Sequence, residues 1–207
     1  SIERARNILI EGGWTQNSLG IWSKEIDNVE TTLSITVRTS NTPLFGAILD
    51  AVVADWKEVG IDVSAEQFEQ TGLVQSVIRP RDFQALLFGL DMSRSYDLYP
   101  FWHSSQKDDP GLNIGQYTNL SVDGLLETAR TTQDKQERLR IFEEASTIIT
   151  AESPAVFLFQ PNFTYVVSNR VTMPTIDNVG KPSDRFSNTL EWHTKSDTLW
   201  PVFQDDM

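Results

Sequence analysis

The feature that most constrains the fold is a strand, a helix and a second strand in unbroken succession between Thr31 and Glu69. In TTLSITVRT, Leu33, Ile35 and Val37 alternate with polar residues, the period of a strand with one face buried. The next run, NTPLFGAILDAVVADWKEVG, sets Thr42 as an N-cap before Pro43 and closes on Gly60. Those signals predict a helix of about four turns, with Ile48, Val52 and Trp56 on its buried face. IDVSAEQFE then alternates again as a strand. A helix crossing between two such strands joins them in parallel, with right-handed connection. The expected class is therefore α/β.

The flanking segments extend that expectation. Ala5, Ile8 and Leu9 give an opening helix an apolar face, and Gly12-Gly13 stop it. So abrupt an opening is expected of a piece cut from a longer polypeptide. A short helix is predicted over Gly72 to Ile78, and DFQALLFG reads as a strand buried on both faces. Periodicity then fails from Gly89 to Leu120. SVDGLLETART and DKQERLRIFEEASTIITAES follow as helices, the second with Asp134 and Glu137 at capping-box spacing. Leu139, Phe142, Ala145 and Ile149 form its predicted buried stripe. AVFLFQ and TYVVS read as strands, the stretch from Val171 to Ser187 as loop, and NTLEWHT as a last strand. Trp14, Trp22 and Trp56 are assigned to packing, and Trp192 and Trp200 to an exposed apolar patch.

Composition excludes several functions. A net charge of -12 without clustered Lys or Arg excludes a nucleic-acid surface. The absence of Cys removes disulfides, thiolate metal sites and a thiol nucleophile. No apolar run reaches the roughly 20 residues that span a bilayer.

A search for chemistry finds no constellation supported by more than one feature. There is no G-x-S-x-G elbow, and His103-Ser104-Ser105 sets neighbours that diverge in extended chain. His103 and His193 are the sole His and lie far apart in sequence. Asp108-Asp109 before Pro110-Gly111 reads as a solvated turn and Glu143-Glu144 as a helix face. Phosphate cradles are missing. No cofactor and no metal are expected, and binding is favoured over catalysis.

The segments DWKEVGIDVSAEQFE, RDFQALLFG and YDLYPFWHSSQ, followed by GLNIGQYTNLSVDGLLETARTTQDKQERLRIFEEASTIITAESPAVFLFQP, resemble the C-terminal lobe of family 5 extracellular solute-binding proteins. The landmarks include Trp56 with Gly60-Ile61, Asp82-Phe83, His103-Ser104-Ser105, Asn113, Tyr117 with Asn119, and Asp123. Their order over Ala5 to Asn169 is what makes the likeness specific. It implies one lobe of a periplasmic-binding-protein type II-like fold, a mixed sheet flanked by helices. Residues 1–185 would form the lobe and residues 186–207 a crossover strand and tail returning to a second lobe. It further implies an extracytoplasmic receptor, periplasmic or lipid-anchored, that serves the permease subunits of an ABC importer. A peptide is the default ligand, with sugar oligomers or nickel chelates as alternatives. A docking or sensory module that binds no solute is the alternative from another class.

The ligand is expected at the carboxyl end of the sheet, where the irregular segment begins. Peptide-binding relatives carry an Asp shortly after the equivalent of Gly89, which pairs with the ligand's α-amino group. Here counting gives Ser93 and aligning on Tyr96 gives Ser95, so the nearest carboxylates, Asp91 and Asp97, are the candidate anchors. Asp97 is alternatively the cap of a short helix. Arg94 suits a carboxylate clamp. Tyr96, Tyr99, Phe101 and Trp102 either stack on a ligand or pack beneath the loop. His103 completes the candidate set.

Overall fold

The computed structural model describes residues 1–90, 97–176 and 179–194. These fall into two compact units, one of residues 1–90 and 98–154, the other of residue 97 with residues 155–176 and 179–194.

The first unit is built on the expected parallel crossover. Strand β4 (Ser34–Ser40) pairs in parallel with β5 (Asp62–Phe68), residue for residue from Ser34↔Asp62 to Ser40↔Phe68. Between them runs α2 (Pro43–Val59), which has Pro43 in its first turn and ends on Gly60 in the left-handed region, φ 108°. Thr42 occupies the N-cap but its hydroxyl makes no capping bond. The short strand β6 (Ala85–Leu86) joins the other side of β4, giving the parallel order β5-β4-β6. Before this sheet lie α1 (Ile2–Glu11) and an antiparallel sheet of β1 (Thr15–Gln16), β2 (Trp22–Ile26) and β3 (Val29–Thr32). The run expected as one strand from Thr31 is thus shared between β3 and β4.

Both faces of the parallel sheet are covered. On one, Val37 and Val63 pack against Leu49, with Val53, Trp56, Ala85 and Leu87 around them. The buried face of α2 is therefore Leu49–Val53–Trp56, one residue round from the Ile48–Val52–Trp56 face expected. Leu49 is 1% exposed, whereas Ile48 and Val52 stay half-buried at the flank. On the other face, α3 (Gln70–Leu73) runs on as a wider turn through Ile78 and buries Leu73, Val77 and Ile78 against Phe68, Phe83 and Leu86. DFQALLFG does lie between two apolar layers, but only Ala85 and Leu86 join the ladder. The α1 face buries nothing fully: Ile8 and Ile10 are exposed, and the helix is tied down by Arg6, which donates to the carbonyls of Glu58 and Val59 at the end of α2.

A helical pair completes this unit. α5 (Leu120–Thr131) and α6 (Lys135–Glu152) pack Val122, Leu126, Ala145 and Ile149 into one cluster. Asp134 caps α6 by accepting from the Glu137 amide at 2.7 Å, half of the expected capping box, while the Glu137 carboxylate accepts from Arg140. The buried stripe of α6 is Ile141, Ala145 and Ile149, with Phe142 and Ile148 beside it. Leu139, assigned to that stripe, is 44% exposed because it lies two residues before Ile141, about 200° round the helix from it.

In the second unit the expected strands AVFLFQ and TYVVS enter no ladder among the described residues. Val156 and Val166 are 79% and 87% exposed there. Strand propensity reflects packing against a neighbouring strand, so it does not by itself make a ladder. β7 (Val171–Thr172) and β8 (His193–Thr194) form a short antiparallel pair, so only the last residues of NTLEWHT are strand. Tyr165, Phe186 and Trp192 gather their rings within 6.5 Å of one another, which leaves Trp192 half-buried rather than in an exposed patch. Trp200 lies outside the described residues.

Candidate ligand-binding site

The carboxyl ends of β4, β5 and β6 come together at one edge of the parallel sheet. Thr39, fully buried, donates its hydroxyl to the Leu87 carbonyl at 2.8 Å, and the Asn41 amide donates to the Phe68 carbonyl at 2.8 Å. The hydroxyls of Ser40 and Thr42 share a bond of 3.2 Å where α2 begins. Gly89 sits against Phe45 of α2, where an added Cβ would meet the ring at 3.4 Å. Phe88 and Leu90 are 42% and 46% exposed beside it. Thr39 and the Asn41 amide are committed within the fold, so what this edge offers a ligand is the exposed Thr42 with the apolar Phe88 and Leu90. Asp91, Ser93, Arg94 and Tyr96 lie outside the described residues. Asp97 is half-buried, and the N-cap position of the helix that follows is Leu98.

That helix, α4 (Tyr99–Trp102), is held from below by side chains that the sequence offered as landmarks. The side-chain amide of Asn113, fully buried, donates to the His103 carbonyl at 3.1 Å and to the Tyr117 carbonyl at 2.8 Å. Its oxygen accepts from the Tyr117 amide at 3.0 Å. The Tyr117 hydroxyl donates to Glu152 at 2.6 Å, and Asn119 donates to the second oxygen of that carboxylate at 2.8 Å. Burial, reinforced by the Glu152 carboxylate, pushes the Tyr117 phenol up to about 12. Asn119 also caps α5, accepting from Ser121 and Val122.

Trp102 and His103 belong to this assembly. Trp102 is half-buried and meets the Tyr117 ring edge-on at 5.9 Å. Nδ1 of His103 accepts from the Ser105 amide at 3.1 Å, which leaves Nε2 as the donor toward Glu127 at 3.3 Å. The imidazole is 7% exposed and stacked under Tyr99 at 4.1 Å. Ser104 gives its amide to Asp123 at 2.8 Å and its hydroxyl to the other oxygen of the same carboxylate. Both polar edges of His103 are thus engaged within the scaffold, and neither serine hydroxyl is bonded to the ring.

One opening of about 390 Å³ lies on the amino-terminal side of β6, lined by Thr36, Arg38, Arg81, Asp82, Phe83 and Gln84. Arg38 there is paired to Glu66 at 2.7 Å and Asp82 at 2.8 Å, so its charge is already answered. Among the described residues no group of His, Asp and Glu is placed to hold a metal ion, and no helix is long and apolar enough to cross a membrane.

A parallel crossover with helices on both faces makes this unit an α/β lobe. No family model matches the chain. The oligopeptide-binding protein AppA of Bacillus subtilis is 30% identical over 175 residues, 83% of this chain and 30% of that protein. The solved structure of AppA with a nonapeptide superposes with a TM-score of 0.74 at 27% identity, covering 94% of this chain and 37% of AppA. The probable D,D-dipeptide-binding periplasmic protein DdpA of Escherichia coli is 27% identical over 64% of this chain and 26% of its own length. NikZ of Campylobacter jejuni, solved with Ni(L-His), shares the fold at a TM-score of 0.63 and 19% identity, over 74% of this chain and 31% of its own. These relatives are family 5 solute-binding proteins, and the chain corresponds to part of one of them. It spans about a third or less of the curated relatives it matches, and those relatives are named for binding, not catalysis.

Proposed function

We propose that this chain is a ligand-binding lobe of a solute receptor for an ABC importer, with oligopeptides as the ligand class. The observation that carries the reading is the match to an oligopeptide-binding protein over 83% of the chain, combined with a polar and apolar rim at the carboxyl ends of β4, β5 and β6. The protein acts outside the cytoplasm, delivers its ligand to permease subunits and catalyses no reaction. Residues 1–185 form the lobe and residues 186–207 return toward a second one. A ligand that touches both lobes favours the closed state, and closure is what the permease would recognise. Asp91 or Asp97 is the proposed anchor of the peptide amine, Ser93, Arg94, Tyr96 and Trp102 are the further proposed contacts, and His103 acts through the scaffold that holds α4.

The test is a thermal-shift screen of the full-length protein against peptides, sugar oligomers and nickel chelates, repeated with Asp91→Asn and Asp97→Asn. Stabilisation by peptides that one variant abolishes supports the reading and names the anchor. Stabilisation by nickel chelates or sugars alone overturns the peptide assignment, and silence across the whole panel overturns the receptor.

A further inference from the structure

Tyr117 is held by every part it has. Its amide and carbonyl are both taken by the side chain of Asn113, its ring lies edge-on to Trp102, and its hydroxyl is bound by Glu152 at the end of α6. Asn113 uses its remaining donor on the carbonyl of His103, the residue that ends α4. The loop between α4 and α5 is thereby closed on itself at one end and pinned to α6 at the other. Asn113 is fully buried and Tyr117 is 8% exposed, so neither can touch a solute itself. A buried amide with both atoms satisfied by backbone fixes that backbone far more tightly than apolar packing does, because each alternative position leaves donors or acceptors unpaired.

We infer that Asn113 and Tyr117 are positioning residues of the ligand site: together they set where α4, and the Trp102 ring on it, stands. The inference rests on the proposed receptor function and deepens it. It explains why a loop of so little regular structure carries a fully buried amide.

The experiment uses the full-length protein, a set of defined nonapeptides and hydrogen exchange resolved along the chain. Asn113→Asp keeps the acceptor for the Tyr117 amide but loses both donations and faces a carboxylate toward carbonyl oxygens. Tyr117→Phe removes only the hydroxyl, and so preserves a folded protein should Asn113→Asp fail to fold. Asn113→Asp is expected to weaken nonapeptide binding about tenfold or more, chiefly through faster release. Exchange should rise over residues 98–119 and stay unchanged over β4 and β5. Tyr117→Phe should raise exchange over the same residues with a smaller loss of affinity. Unchanged affinity in both variants, with the wild type binding normally, overturns the inference and leaves the receptor standing. A protection loss spread evenly over β4 and β5 overturns it too, since that is general destabilisation. Silence of the wild type toward every nonapeptide fells the peptide reading and this inference with it, and is told apart because no variant is then involved.

Discussion

The indole of Trp22 donates to the carbonyl of Val59 at 2.8 Å, across a sequence separation of 37 residues. The bond joins the antiparallel sheet to the end of α2, and Trp22 is 4% exposed. Gly60, the next residue, makes the approach possible. At φ 108° a Cβ there would lie 2.7 Å from the Gly20 carbonyl oxygen and 2.9 Å from the indole nitrogen. Trp22→Phe should cost about 1 kcal/mol through the lost bond. Gly60→Ala should cost more, about 2–3 kcal/mol, because strain and collision add to it. Urea unfolding of both variants checks the order, and a smaller loss for Gly60→Ala would remove the close-approach argument.

The helical pair offers a paired test of which side chains form the core. Leu126 is fully buried between α5 and α6, so Leu126→Ala should cost roughly 2–5 kcal/mol. Leu139, 44% exposed on α6, should tolerate Ala within about 0.5 kcal/mol. Comparable losses at the two sites would restore the stripe that the sequence pattern suggested.

Alkaline pH should act through Tyr117. Its phenol ionises near 10 in unfolded chain and at about 12 in the fold, raised by burial and by Glu152. A raised pKa of this kind means that the stabilisation is complete below pH 10 and is lost as pH climbs through 12. Tyr117→Phe should flatten that alkaline decline, as read by denaturant midpoints across the range. An absorbance titration of tyrosinate should show one late-ionising group that the variant lacks.

Acid acts with the opposite sign at Glu69, which begins α3. Bonds from the Thr71 and Gly72 amides lower its pKa below the usual 4.5. Its stabilisation is therefore present above pH 4.5 and fades as pH falls through the lowered value. Glu69→Gln should shallow the acid limb of the stability profile while leaving the alkaline limb unchanged.

The run from Ala155 to Val166 predicts association. Val156, Phe159 and Val166 are exposed without ladder partners among the described residues, and AVFLF carries high β propensity with no charge. Val156→Lys with Val166→Lys should reduce concentration-dependent light scattering of the 207-residue chain. Equal scattering from both forms would assign the association elsewhere.

Legibility in the sequence followed the range of the interaction involved. α2 and α6 were readable because Pro43, Gly60 and Asp134 act on their own backbone or on backbone a few residues away. The turn of α2 that faces inward was misjudged by one position, since Leu49 is selected by Val37 and Val63 on strands the helix pattern cannot see. The strands expected at AVFLFQ and TYVVS failed for the same reason, being a request for neighbours that the chain's own pattern does not supply. At the site, Asn113, Tyr117, Asn119 and Asp123 were visible as landmarks, yet nothing in one sequence tells a ligand contact from a buried brace. Only the partners at Glu152 and His103 make that distinction.

The pairing of β4 with β5 also bears on the order of synthesis. Arg38 and its cross-strand partner Glu66 are 28 residues apart, with a single helix filling the interval. Closing so short a loop costs little entropy, and most of its residues are already ordered as α2. The β4–α2–β5 unit can therefore assemble as soon as Phe68 has left the ribosome, before β6 or the helical pair exists. β6 then adds to a finished edge, with Asp82 meeting an arginine that Glu66 has already oriented. On a translating ribosome, the crossover unit is thus made before the strand and the helices that follow it in the chain.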